Sequence, residues 1–136
     1  MKGSYILVVE LEKAQTIQIG KLGKIYFSSG FYTYVGSALN GLEQRINRHL
    51  RKDKKIHWHI DYLLKQGKIS DIFYKKSEIK EECDFVKKFE EKLLPILYFG
   101  CSDCKCKSHL FHGGIKDILS IIKKLKMYQY LLNANT

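Results

Sequence analysis

The residue pattern predicts an α+β domain, and three observations predict it. Two early runs, "SYILVVEL" and "FYTYVG", are rich in β-branched and aromatic residues and too short for helices. Two later stretches, "SEIKEECDFVKKFEEKLL" and "GGIKDILSIIKKLKMYQYLLN", repeat apolar residues at helical spacing. The resulting order β, β, α, α, β, α, α is the third.

In chain order, residues 4 to 11 form the first strand, ending in a polar break. "TIQIG" alternates and meets "KLGKIYFSSG", a connection punctuated by Gly and Ser, before "FYTYVG" forms the next strand and closes at Gly36. A β-ribbon over residues 4 to 35 follows. From Leu42 the period changes: Leu42, Ile46 and Leu50 share one helical face, with Asn40 as N-cap. "HIDYLLKQGK" reads as a second helix stopping near Gly67, with Trp58 in the core and His57 exposed, and "SDIFYKK" as a short strand. The third helix is capped by Ser77 and has Pro95 just past its end. "LYFG" reads as a last short strand before a cysteine loop, and an amphipathic helix with a lysine-rich back closes the chain.

At 136 residues, 45% of them hydrophobic, the chain suits one domain, 1–136, with a single core. The opening "MKGSYILVVELEK" turns acidic too soon for a secretory signal, and no apolar run is long enough to span a bilayer. A soluble, cytoplasmic protein without a membrane partner is the expectation. Twenty-four Lys and Arg against 14 Asp and Glu give a formal charge of +10, which favours a polyanionic partner such as nucleic acid.

Helical geometry singles out particular side chains. At about 100° per residue, Arg45 and His49 lie on the flank of the Leu42–Ile46 stripe, while Arg48 and Arg51 point further toward solvent. In the third helix Glu82 falls on the same stripe as Val86, Phe89 and Leu93. A carboxylate pointing coreward costs several kcal/mol, roughly, unless it is paired or holds a cation. A single acidic ligand supplemented by water and substrate oxygens is a common way to hold Mg²⁺.

"GSY" at residues 3–5, "YVG" at 34–36, Arg45 and His49 on the next helix and Glu82 on a later one, in that order, resemble the GIY-YIG nucleases. More narrowly, "YVGSA", "RINRHL", "HWHIDYLL", "EC" and "FGCSDCKCKSHLF" are similar to an archaeal and bacterial branch of unassigned function. Some members of that branch occur fused to endonuclease III-type glycosylases. The resemblance implies a small three-stranded antiparallel sheet flanked by helices, a catalytic core over about residues 3–105, and a cysteine loop and C-terminal helix over 101–136. It implies Tyr5 and Tyr34 lining the site, Arg45 on the scissile phosphate, His49 aiding proton transfer and Glu82 holding one Mg²⁺ or Mn²⁺. Gly36, Ser37, Arg48, Arg51 and His57 are expected to contact the substrate, with DNA as the expected nucleic acid. Where the superfamily usually carries an asparagine, this chain reads "CSDCKC", with Asp103 or Ser102 in its place.

The implied chemistry is metal-dependent phosphodiester hydrolysis in DNA repair, recombination or processing. Arginine suits it because its planar fork matches two phosphate oxygens. A tyrosine base would need its pKa lowered by about three units, whereas histidine needs almost none. The resemblance nevertheless keeps Tyr5 and Tyr34 as alternatives to His49. A non-catalytic nucleic-acid-binding module is the rival expectation, and a zinc-stabilised interaction domain a third. For zinc, Cys101, Cys104, Cys106 and His109 provide four ligands with Cys83 in reserve. Free thiols, or a bridge from Cys83 to the loop, are the alternatives. Oligomeric state is left open.

Overall fold

The computed structural model describes residues 2–101 and 105–131. The strands are β1 (Gly3–Leu11), β2 (Gln15–Gln18), β3 (Lys24–Phe27), β4 (Gly30–Ala38), β5 (Lys68–Lys76), β6 (Leu94–Pro95), β7 (Leu110–Gly113) and β8 (Tyr128–Tyr130). The helices are α1 (Leu42–Leu50), α2 (His59–Leu64), α3 (Glu82–Glu90) and α4 (Ile115–Lys124). Six strands form one antiparallel sheet in the order β6-β7-β4-β1-β5-β8, and β2 and β3 form a separate hairpin. The α+β class stands, but the sheet is twice the expected three strands.

Strand β1 lies at the centre of this sheet and is covered on both faces, which its nearly continuous apolar run "SYILVV" permits. Because side chains alternate along a strand, Tyr5, Leu7, Val9 and Leu11 join one core and Ile6 and Val8 another. The first core is closed by α1, α2 and the β2–β3 hairpin through Leu42, Ile46, Ile60, Leu63, Ile17 and Phe27. The second is closed by α3 and α4 through Phe85, Val86, Phe89, Ile118, Ile121 and Ile122. The result is a sheet sandwiched between two helical layers, and no described helix is long and apolar enough to cross a membrane.

Several local expectations are corrected. Helix α1 starts from Gly41 in the left-handed region (φ 72°), not from an Asn40 cap. Helix α3 starts at Glu82. Ser77 does not cap it: its Oγ accepts the Ile79 N–H, and its own N–H donates to the Lys2 carbonyl. Pro95 sits in β6, and residues 97–100 form a turn with Tyr98 and Gly100 at positive φ, where a strand was expected. The C-terminal helix stops at Lys124, and "YQY" pairs with β5 as an edge strand.

Candidate active site

The site is built on the register between β1 and β4. Tyr5 lies directly opposite Gly36, and its ring lies over the glycine so closely that a Cβ there would overlap it. The Tyr5 hydroxyl is 2.7 Å from Nε2 of His49, which comes up from the last turn of α1. Tyr34, two residues before Gly36 and on the same strand face, brings its ring centroid within 6.5 Å of Tyr5 and 6.4 Å of His49. Arg45 lies one turn before His49 and donates to the Ser37 carbonyl at 3.2 Å.

Tyr5, Tyr34 and Arg45 border a cavity of about 460 Å³, lined also by Gly36, Ser37, His57 and Glu82 among others. Glu82 enters from the first turn of α3, and its carboxylate makes no hydrogen bond or ion pair with a described residue. A half-buried carboxylate without a partner among the described residues, at a cavity wall, suits one divalent cation completed by water and substrate oxygens. His49 is not part of the lining. It sits behind Tyr5 at 2% exposure, so it meets the cavity through the phenol.

Here α1 departs from its expected stripe. His49 takes the buried position assigned to Leu50, which is 37% exposed. Arg48 was expected in solvent, but its side chain is only 19% exposed because it forms a two-pronged ion pair with Asp61, both bonds 3.0 Å long. Asp61 is fully buried and also accepts the backbone N–H groups of His57 and Trp58 at 2.9 Å. Above this pair the Trp58 ring carries two guanidinium groups, Arg45 at 4.5 Å and Arg48 at 4.3 Å. Trp58 and Asp61 thus position both arginines, a role sequence reasoning did not give them. One signal was available: Asp61 interrupts the apolar run of "HIDYLL" at the third helical position, where a carboxylate can accept backbone N–H groups and pair with a cation.

Arg51 lies beyond, in a second, basic cleft of about 440 Å³ shared with Arg48, Lys54, Lys55 and His57. His57 is exposed and lines both spaces. Lys54 also closes α1, its ammonium donating to the carbonyls of His49 (2.7 Å) and Arg48 (3.2 Å), a good match to the negative end of a helix.

Burial sets the protonation states. It holds the phenols of Tyr5 and Tyr34 well above their ordinary value, despite the lowering influence of Arg45. Burial first, and the nearby Lys54 ammonium second, push His49 down to about 3 against the opposing field of Asp61. At neutral pH the pair is therefore a neutral phenol against a neutral imidazole. Burial would raise Asp61, but the Arg48 bonds and the two backbone N–H groups outweigh it and lower the pKa.

The cysteine loop is only partly within the described residues, since Cys104 lies outside them along with Ser102 and Asp103. Cys83, in the first turn of α3, and Cys106 bring their sulfurs to 3.0 Å, while the Cys101 thiol donates to the Phe99 carbonyl at 3.4 Å. His109 is buried and directs Nδ1 to the Val35 carbonyl at 3.0 Å. Among the described residues, no group of three or more His, Cys, Asp or Glu side chains could hold a metal ion.

One family model, described as "Domain of unknown function DUF123", matches residues 4–129. No curated protein and no solved structure matches the chain.

Proposed function

The chain belongs to the DUF123 family, a domain of unknown function, and on that premise we propose that it is a metal-dependent endonuclease hydrolysing phosphodiester bonds of DNA. The observation that carries this reading is the 2.7 Å contact between Tyr5 and a neutral His49, at the wall of a cavity that also holds Arg45 and Glu82. The likeness of these residues and their order to the GIY-YIG nucleases supports it, as does the +10 charge. Repair, recombination or processing of DNA is the setting that the likeness suggests.

A phosphate seated in the cavity would meet Arg45 from the side. Its guanidinium spends one N–H on the Ser37 carbonyl and lies against Trp58, leaving a pre-oriented fork for two phosphate oxygens. Glu82 is the residue that would hold Mg²⁺ or Mn²⁺, and a bound ion would supply Lewis-acid stabilisation of charge on the phosphate. Tyr5 orients the attacking water. Neither the phenol nor the imidazole acts well alone, since burial keeps one protonated and the other starved of protons. The phenol therefore donates its proton as a hydrogen bond to His49 Nε2, which fixes the Tyr5 oxygen as an acceptor that orients the attacking water. The proton already on the imidazole then resides on Nδ1, a buried atom without a hydrogen-bond partner among the described residues. An unsatisfied buried polar atom costs about 1–3 kcal/mol, a local conflict of the kind tolerated at functional sites.

The test is nicking of supercoiled plasmid with Mg²⁺ or Mn²⁺ by wild type, Glu82→Ala and Arg45→Ala. Each substitution should slow cleavage by about 100-fold or more. Equal cleavage by all three would reject the assignment. The basic cleft favours a second reading, a nucleic-acid-binding module without catalysis, because Arg51, Lys54 and Lys55 need no cation to hold phosphates. That reading predicts salt-sensitive binding with no nicking under either metal.

A further inference from the structure

We infer that Cys83 and Cys106 form an oxidisable dithiol that closes to an intramolecular disulfide, a covalent modification site separate from the proposed nuclease chemistry. The two residues are 23 positions apart in the chain, yet their sulfurs lie 3.0 Å from each other. A disulfide brings them to about 2.0 Å. The observed separation lies within about 1 Å of a covalent bond.

The surroundings agree. Cys106 packs against the apolar core between the sheet and helices α3 and α4, where an uncharged disulfide is accommodated more readily than two thiolates. Both residues are partly exposed, which leaves a path for a small oxidant. A low-molecular-weight disulfide, RSSR, is the class of oxidant required. One cysteine thiolate attacks RSSR, forming a mixed disulfide and releasing RS⁻. The other thiolate then attacks the cysteine sulfur of that mixed disulfide and releases the second RS⁻. Two cysteine thiols and one RSSR become one protein disulfide and two RSH, with the protons balanced.

The bond would fasten the first turn of α3, where Cys83 follows Glu82, to the segment leading into His109 and β7. Glu82 and His109 line the same cavity, so the clasp braces two of its walls.

The full chain, reduced and then incubated with oxidised glutathione, is alkylated and mapped as peptides without reduction. The expected result is a linked peptide containing Cys83 and Cys106 and a melting temperature raised by about 10 °C. Cys83→Ser and Cys106→Ser should each abolish both effects. Linkage through Cys101 or Cys104 would overturn the inference, as would full alkylation of Cys83 and Cys106 after oxidation. About one zinc per purified chain, with the two thiols protected until a chelator is added, would also overturn it. None of these readouts depends on DNA cleavage.

Discussion

Asp61 is the side chain on which the arrangement of both arginines converges, because its carboxylate holds Arg48, and Arg48 shares the Trp58 ring with Arg45. Asp61→Asn keeps the shape but leaves Arg48 without its counter-charge, and should destabilise the fold by about 3 kcal/mol in urea unfolding. His49 makes stability depend on pH. Its folded pKa of about 3 lies below the ordinary 6.5, so between these values the unfolded chain binds more protons than the folded one. The stabilisation is complete above pH 6.5 and is lost as pH falls toward 3, at up to about 1.4 kcal/mol per pH unit. Asp61, whose pKa is lowered, adds to the loss below 3.8. Unfolding measured across this window should show the slope in wild type and a flatter one in His49→Gln. The sequence placed Arg45, His49 and Glu82 near one another but could not place His49 beneath Tyr5. Helical angle alone does not separate a flank from a stripe when the helix ends at Leu50 and a phenol from another strand takes up the imidazole.

At the scale of the elements, the pairing of β1 with β4 fixes the site, since it sets Gly36 opposite Tyr5. Gly36→Ala fits the backbone but drives a methyl into the phenol ring, so Tyr5 must shift away from His49. Cleavage should fall about 100-fold, with a stability loss of only about 1–3 kcal/mol by melting. The two long strands were legible because β-branched runs are bounded by polar or glycine breaks. The edges of the sheet were not. Strand β6 has two residues, one of them proline; β7 follows the cysteine loop; and β8 continues an amphipathic helical pattern through "YQY". Such short strands exist because a neighbouring edge offers hydrogen bonds, which residue composition does not record. The start of α3 was missed likewise. Ser77 is drawn to extend the sheet through the Lys2 carbonyl, so the four residues that followed it in the expected helix stay outside.

For the whole molecule, the +10 charge acts through where it is concentrated, and the cleft around Arg51 and Lys55 adjoins the candidate catalytic cavity at His57. A strand lying across both would meet several cations in succession. Binding of a short DNA oligonucleotide should therefore weaken steeply with salt. The double substitution Arg51→Ala, Lys55→Ala should reduce the slope of log affinity against log salt by about two. An unchanged slope would place the strand elsewhere. The bulk charge was plain in the composition, but its gathering in one cleft depended on how the loop after α1 folds back beside Arg51.

Trp58 is the chain's single tryptophan, and it borders the cavity under two guanidinium groups. Its fluorescence is consequently a built-in optical gauge of that spot, free of background from any other indole. When a ligand draws Arg45 toward itself, the emission should change, and occupancy can be titrated without a dye or a radioactive label.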